Sequence, residues 1–455
     1  MAPRRSVQDR GGDVVPLREA TRAWFEISWQ TFGGPAGQIA VMQHKLVDEK
    51  RWIGQRRFLH ALNFCMLLPG PEAQQLAVYT GWLLNGTRGG LIAGGLFVLP
   101  GMLAMLALSA GYVAFGSTGV VASLFAGLAP AVIAIVVQAV HRVGRRALGH
   151  PLLVAVAVTA FLALTVFSVP FPVVVLTAGG VGLVAGRWVP ALRAPRAVPE
   201  ADGPAPLVSD DALHHDLPSV RRTLAVVAAG LVLWLSPVGV AWLLAGESVF
   251  VDQGLFFSGT ALVTFGGAYA VLAYVAQQAV NVFGWLAPGE MVRGLALAET
   301  TPGPLIMVVQ FVAFVGAYRD AGSLDPWLAA VLASLLVVWV TFVPCFVFIF
   351  LGAPYVERLR SNEHLAAALT CITGAVVGVI ASLAVFFALH TLFDETEVAD
   401  RGPVTLELPV AGSADPVAFA ITGIALALML WRGWGPLRTL GLCAALGVVA
   451  GVVSG

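Results

Sequence analysis

Residues 31–75 read TFGGPAGQIAVMQHKLVDEKRWIGQRRFLHALNFCMLLPGPEAQQ, and residues 264–308 read TFGGAYAVLAYVAQQAVNVFGWLAPGEMVRGLALAETTPGPLIMV. Both stretches contain TFGG, a tryptophan and PGP. Each of these features lies 233 residues further along the chain in the second stretch than in the first. Two such words and a tryptophan in one register indicate an internal repeat. A repeated membrane unit is typical of secondary transporters.

The composition indicates that the repeat lies in a membrane. Of the 455 residues, 58% are hydrophobic and 11% are charged, whereas a soluble domain carries about a quarter charged residues. These values exclude a soluble enzyme, a nucleic-acid-binding protein, a disulfide scaffold and a disordered protein. Roughly ten to thirteen long apolar segments predict an all-α polytopic membrane protein in a lipid bilayer and exclude a β-barrel. The formal net charge of +0 gives no sign of a polyanionic partner, so no nucleic acid is expected.

Polar segments divide the chain into two halves of similar length. An arginine-rich N-terminal segment, 1–22, precedes the first repeat unit, 23–190. A polar, proline-rich linker, 191–222, leads to the second unit, 223–455, which begins with an extra apolar segment, 223–245. Because short arginine-rich segments stay in the cytoplasm, we expect the N-terminus on that side.

The loops between TFGG and PGP differ in charge between the halves. Loop 45–57 holds five lysine and arginine residues, whereas the matching stretch, 278–290, holds none. Because short cytoplasmic loops collect these residues, the two loops should face opposite sides, and the halves should be inverted-topology repeats. Segment 23–43 then separates two basic stretches on one side. We therefore favour a re-entrant segment broken at 33–35, with a kinked full span as the alternative.

Glycine and proline break the apolar segments at FGG and PGP. A backbone group freed by such a break is costly in a bilayer unless protein or a water-filled cavity receives it. Each break also creates a helix N-terminus, near Ala36, Glu72, Ala268 and Leu305, and helix N-termini bind anions. We therefore predict an anion site where the broken helices meet. Kinks that serve only tight helix packing are the alternative.

Few polar side chains lie near the breaks, and ionisable groups inside a membrane suggest a function. The guanidinium of Arg293 is suited to a doubly charged oxyanion. Glu72 and Glu299 could neutralise Arg293 or carry protons, and structural pairs or contacts with the membrane interface are the alternatives. Arg293 precedes Pro302 by nine residues, or about 13 Å of helix. We therefore expect Arg293 on the exit path rather than in the central site.

The predicted substrate-binding residues combine the glycines and prolines of the breaks with the polar side chains around them. They are Gly33, Gly34, Gly37, Gln38, His60, Asn63, Pro69, Gly70, Pro71, Glu72, Gln74, Gln75, Gly266, Gly267, Arg293, Glu299, Pro302, Gly303 and Pro304. The sequence predicts no catalytic residue, no metal ligand and no cofactor.

Residues 31–90 and 294–311 closely resemble the chromate ion transporter family in its long, two-domain form. The resemblance implies a protein of the bacterial inner membrane that exports chromate and confers chromate resistance, driven by the proton motive force. It also implies a functional role for the FGG and PGP motifs of both halves. One departure is that Ala268 stands where the first half has Pro35, so the two breaks need not be equivalent.

Two other functions compete with chromate export. Uptake or exchange of sulfate or another oxyanion would use the same site, because sulfate shares the charge and shape of chromate. A membrane-embedded chromate reductase would need cofactor or nucleophile motifs. The sequence contains no P-loop, no HExxH and no CxxC, and no GxGxxG after a strand, which also argues against an ATP-driven pump. A homodimer is kept as a hypothesis that the sequence does not decide.

Overall fold

The computed structural model describes residues 13–32, 34–192, 207–208, 219–265, 268–287, 289–353, 362–402 and 404–454. Sixteen α-helices account for most of this part of the chain. They are α1 (Leu17–Ser28), α2 (Gly34–Gln43), α3 (Gln55–Cys65), α4 (Glu72–Phe115), α5 (Gly119–Ala147), α6 (Pro151–Thr165), α7 (Phe171–Ala185), α8 (Val220–Ala245), α9 (Val249–Val263), α10 (Ala268–Gln277), α11 (Glu290–Thr300), α12 (Val308–Arg319), α13 (Pro326–Gly352), α14 (Glu363–Leu392), α15 (Pro416–Leu430) and α16 (Pro436–Ser454).

Six helices in the described part of the chain are long and apolar enough to cross a membrane: α4, α5, α8, α13, α14 and α16. This confirms the predicted all-α polytopic membrane protein. Four other apolar helices, α6, α7, α9 and α15, have 15 residues each. At 1.5 Å per residue each is about 22 Å long, which is less than the ~30 Å hydrocarbon core of a bilayer.

The longest helix, α4, consists of two helices joined at a kink. Gly86 has φ 60° and ψ −152°, and the preceding Asn85 is also non-helical. The kink lies beside the start of α1, because the backbone N–H of Val14 donates to the Leu84 carbonyl at 3.0 Å. The Asn85 amide also donates to the carbonyl of Val15. The short first part of α4 therefore runs from the PGP break to the start of α1.

The chain reverses direction at the TFGG break of the first half. Lys45 lies 2.9 Å from Glu26, and Lys50 lies 3.6 Å from Glu19. The acidic residues follow α1 in one direction while the lysines follow the returning segment in the other. The two segments are therefore antiparallel. This geometry supports the predicted re-entrant segment, whose position in a bilayer stays a prediction.

The chain also reverses at the PGP break of the second half. Glu290 begins α11 and Arg319 ends α12, and their side chains form a bidentate ion pair at 2.7 and 2.8 Å. The two ends of this segment therefore meet, while Pro302–Pro304 lies at its far tip. The sequence predicted a break here but not a return.

Both halves repeat one succession of elements. A short α-helix after TFGG continues into a π-helix, at His44–Glu49 in the first half and Gln278–Val282 in the second. A second short helix then leads to PGP. The shared succession agrees with the predicted repeat, and its inverted orientation stays a prediction.

The segment boundaries differ in part from those expected. Helix α1 already begins at Leu17, because Pro16 precedes a helical run whose buried face includes Trp24 and Ile27. Within the linker, Val208 is buried and its N–H donates to the Trp52 carbonyl at 3.0 Å. This part of the linker therefore packs against the first half. Most of the linker lies outside the described residues.

The acidic loop after α14 contains a two-stranded antiparallel hairpin, β1 (Thr396–Arg401) and β2 (Val404–Pro409). Glu407 on β2 lies 3.1 Å from His390 at the end of α14. The hydrogen bond from His390 lowers the pKa of the Glu407 carboxyl. The hairpin is thereby attached to the helix end, and it covers a polar cavity of about 190 Å³ lined by residues that include Tyr274 and Gln277.

Candidate functional site

The breaks of the two halves hydrogen-bond to each other reciprocally. The N–H of Gly70 donates to the Thr264 carbonyl at 2.7 Å, and the N–H of Gly303 donates to the Thr31 carbonyl at 3.0 Å. Both pairs join PGP of one half to TFGG of the other. Because 233 residues separate the members of each type, the two contacts are equivalent under the repeat. The four breaks therefore meet at one place between the halves.

Glycine is needed at the centre of both PGP words. Gly70 has a φ of 119° and Gly303 a φ of 93°, conformations that side chains rarely adopt. A Cβ on Gly70 would lie 2.6 Å from the Cys345 Sγ and 2.9 Å from the Gln75 Nε2. The glycines thus permit both the sharp reversal and the close packing of the tips.

The N-terminus of α4 holds buried donors without partners. Within the described residues, the N–H groups of Ala73 and Gln74 donate no hydrogen bond, whereas that of Gln75 donates to the Pro71 carbonyl. The Gln74 side chain is 0% exposed, and neither its Nε2 nor its Oε1 has a partner. Side chains in a first helical turn lean toward the helix N-terminus. Buried donors are normally satisfied, so this end of α4 is suited to an anion.

Two other predicted glutamines have structural partners. The Nε2 of Gln38 donates to the carbonyl of Gly303, which adds a third contact between the halves. The Nε2 of Gln75 donates to the Pro69 carbonyl at 2.6 Å and so closes the PGP turn of its own half. Their amide N–H groups therefore stabilise the breaks, and the neighbouring Gln74 is the amide left free.

The second PGP break differs from the first. A 3₁₀ turn, Leu305–Met307, follows Pro304, and α12 begins only at Val308. We expected a helix N-terminus near Leu305, and the α-helix begins one turn later. Met307 stands 233 residues after Gln74, so this tip lacks the free amide. The donors of the site are therefore concentrated in the first half.

A buried carboxyl lies between the two breaks of the second half. Glu299, three residues before Pro302, is 2% exposed and accepts a hydrogen bond from the Tyr269 hydroxyl. Tyr269 lies in the first turn of α10, directly after TFGG. The positive charge of Arg142 on α5 acts on this carboxyl from a longer distance.

Arg293 belongs to a separate polar cluster. Its side chain is exposed, and its Nη1 donates to the Tyr112 hydroxyl at 3.3 Å. Tyr112 in turn donates to Glu290, which also pairs with Arg319. In the described part of the chain, Arg293 forms no ion pair with Glu72 or Glu299. The cluster lies at the end of α11 away from the break, in agreement with a position outside the central site.

The remaining predicted residues occupy varied positions. Gly34 is buried with a φ of 73°, and a Cβ there would meet no atom within 4 Å, so open space lies beside it. A Cβ on Gly37 would lie 2.5 Å from the Phe32 carbonyl oxygen. His60 on α3 is half-buried, and Asn63 on the same helix is exposed.

Glu72 is half-buried at the start of α4, and Pro71 and Pro302 are buried in the PGP loops. Gly33, Gly266 and Gly267 lie outside the described residues.

Sequence reasoning missed the groups that hold the charged side chains. Tyr269, Tyr112 and Arg319 are absent from the predicted set, although each contacts a buried glutamate. One signal was available for Tyr269. The repeat places Tyr269 opposite Ala36 and Glu299 opposite Met66, so the second half has gained a polar pair where the first half is apolar.

Comparisons with known proteins agree with this architecture. Residues 18–183 and 251–448 each match the profile of the Chromate transporter family. A chromate transport protein of Pseudomonas aeruginosa is 34% identical over 79% of this chain and 78% of its own length. One from Cupriavidus metallidurans is 27% identical over 83% and 84%. A probable chromate transport protein of Synechococcus elongatus is 25% identical over 83% and 86%.

No match to this chain is found among solved structures. The family profile covers most of the chain, and the Pseudomonas relative is aligned over more than three quarters of both proteins. The chain therefore belongs to the chromate transporter family.

Proposed function

We propose that the protein is a secondary transporter that exports chromate across the bacterial inner membrane and so confers chromate resistance. The observation that carries this proposal is the reciprocal contact of four broken-helix tips with unpartnered donors at the start of α4. Chromate is a tetrahedral dianion that accepts hydrogen bonds from all sides. Buried N–H groups at a helix N-terminus suit such a ligand without requiring a fixed positive charge.

The membrane potential supplies a direction. An elementary charge that crosses the membrane gains or loses about 2.3 kcal/mol per 100 mV. A dianion is therefore driven out of a cell whose interior is negative. Export can thus be powered by the electrical part of the proton motive force. The N-terminus lies in the cytoplasm in this proposal, and a homodimer stays a prediction.

Sulfate is the second candidate substrate. The unpartnered donors, the N–H groups of Ala73 and Gln74 and the Gln74 amide, are neutral. Neutral donors recognise charge and tetrahedral shape, which sulfate and chromate share. Uptake or exchange of sulfate would therefore use the same site, and competition by sulfate tests this relationship directly.

The experiment is radiolabelled chromate flux in proteoliposomes under an imposed membrane potential, with and without excess sulfate. Wild-type protein should accumulate chromate on the positive side. Gln74→Met introduces the residue that the second half has at Met307, and it should raise the KM for chromate about tenfold to a hundredfold, because a hydrogen bond to a charged group is lost.

Gln310→Met is the matched control. Gln310 is also fully buried, but its Nε2 donates to the Met102 carbonyl at 3.1 Å, away from the tips. This variant should lose some stability while its KM stays near the wild-type value. Equal KM values for wild type and Gln74→Met would contradict the proposed site. Absence of any potential-driven chromate flux in the wild type would contradict the proposed function.

A further inference from the structure

The helix α11 carries two glutamates in opposite environments. Glu290 lies in the first turn, where a negative charge is favourable. It accepts hydrogen bonds from Arg319, from the Ala287 N–H at 2.7 Å and from Tyr112 at 2.8 Å. These contacts satisfy both carboxylate oxygens. Glu290 is therefore a charged structural residue.

Glu299 lies in the last turn of the same helix, where a negative charge is unfavourable. Its one hydrogen bond within the described residues comes from Tyr269, although an ionised carboxylate can accept about four. At 2% exposure, water supplies little of the difference. Burying a charge with so few partners is costly, so the neutral acid is favoured in the empty site.

The charged groups on the neighbouring elements leave Glu299 without an ion pair. On α5, Arg142 is exposed and donates to Gln138 at 3.0 Å, so its charge acts on Glu299 only from a distance. On α12, Arg319 pairs with Glu290 at the other end of α11. On α4, Tyr112 also faces that other end, and Glu72 begins the helix at the opposite break.

We propose that Glu299, positioned by Tyr269, is a proton-binding site whose carboxyl must be protonated while the dianion occupies the tips. This inference rests on the proposed function. Glu299 is joined to the break through Pro302 and Gly303, and Gly303 makes the reciprocal contact with Thr31. A carboxylate and a dianion repel each other strongly in such a dry site. One proton therefore binds to the carboxylate when the anion binds and leaves when the anion leaves.

The sign of the coupling follows from this mutual requirement. Because proton and anion occupy the protein together, they cross the membrane in the same direction, and one cycle moves a net charge of about one rather than two. The membrane potential still drives export, but less strongly than for chromate alone. A protein that exchanged protons for chromate would need the opposite arrangement, in which anion binding expels the proton.

The test is the reversal potential of chromate flux in proteoliposomes at equal and alkaline pH on both sides, where chromate itself is a dianion. A tenfold chromate gradient should be balanced at about 59 mV when one net charge moves, and at about 30 mV when two move. We expect the higher value for wild type and the lower for Glu299→Gln. Tyr269→Phe should retain the wild-type value and shift the pH dependence of the KM.

Controls separate this site from other carboxyls. Glu397→Gln removes an exposed carboxyl of the hairpin and should keep the wild-type reversal potential. A wild-type value near 30 mV, or a shift to that value in Glu72→Gln but not in Glu299→Gln, would overturn the assignment.

A second readout does not require transport. Infrared difference spectra of the solubilised protein should show the carbonyl band of a protonated acid that is absent in Glu299→Gln. If wild-type protein moved no chromate, the proposed function would fail, and this band would still report whether Glu299 is protonated. Absence of the band in wild-type protein at neutral pH would also contradict the proton site.

Discussion

Single residues at the tips decide whether the two halves can meet. Gly70 donates its N–H across the interface, has a positive φ and lies directly against Cys345. Any side chain there both strains the backbone and pushes the α13 helix away. The requirement is therefore for glycine itself and not merely for a small residue.

Gly70→Leu should abolish chromate flux while the protein still inserts into the membrane, because the long apolar helices that drive insertion are unchanged. The measurement is flux per mole of protein in proteoliposomes, with insertion checked by membrane fractionation. Gly95→Leu on α4 is the matched control, since a Cβ there meets no atom within 4 Å. Normal flux in a well-inserted Gly70→Leu protein would show that the close contact is not needed.

The sequence predicted these glycines because backbone requirements are local. Proline and glycine inside an apolar segment indicate a break whatever surrounds them. Side-chain partners are not local. Gln74 and Gln75 are adjacent and chemically identical, and only the phase of the helix gives Gln75 the Pro69 carbonyl and leaves Gln74 free. Tyr269 in an apolar helix resembles an ordinary packing residue until α11 places Glu299 against its hydroxyl.

At the scale of elements, the repeating unit is a short antiparallel pair of helices that returns at a break. Charge patterning predicted such a return for the first TFGG segment. It did not predict the return at PGP in the second half, because Glu290 and Arg319 are separated by 29 positions and their pairing depends on the fold. A span and a returning pair of this length have the same apolar composition, so hydropathy alone does not distinguish them.

The ion pair between Glu290 and Arg319 should stabilise the returning segment. Arg319→Met leaves Glu290, which is 6% exposed, without its counter-ion. Because the Arg319 side chain is 46% exposed, the expected loss is about 1–3 kcal/mol, below the value for a fully buried pair. Adding Glu290→Gln should recover part of this loss. The measurement is thermal unfolding in detergent, and a double variant whose loss equals the sum of the single losses would show that the two residues are not coupled.

The whole molecule combines near symmetry of backbone with asymmetry of charge. The reciprocal contacts Gly70–Thr264 and Gly303–Thr31 are equivalent under the repeat, yet the free amide lies in the first half and the buried carboxyl in the second. A transporter needs two related arrangements of its halves, and paired equivalent contacts provide such arrangements at similar free energy. Two half-sites with different chemistry can bind an anion and a proton together.

The inverted orientation of the halves is the prediction that belongs to this scale. Single cysteines at Gln55 and Ala287, which begin and precede the matched helices α3 and α11, should react with a membrane-impermeant maleimide from opposite sides. The reason is that lysine and arginine cluster in loop 45–57 and are absent from 278–290. The four natural cysteines are buried, so they should add little background. A cysteine at Glu397 in the acidic hairpin should label from the same side as Ala287. If Gln55 and Ala287 label from one side, the halves are parallel, and the net passage of a dianion between oppositely oriented tips would have to be abandoned.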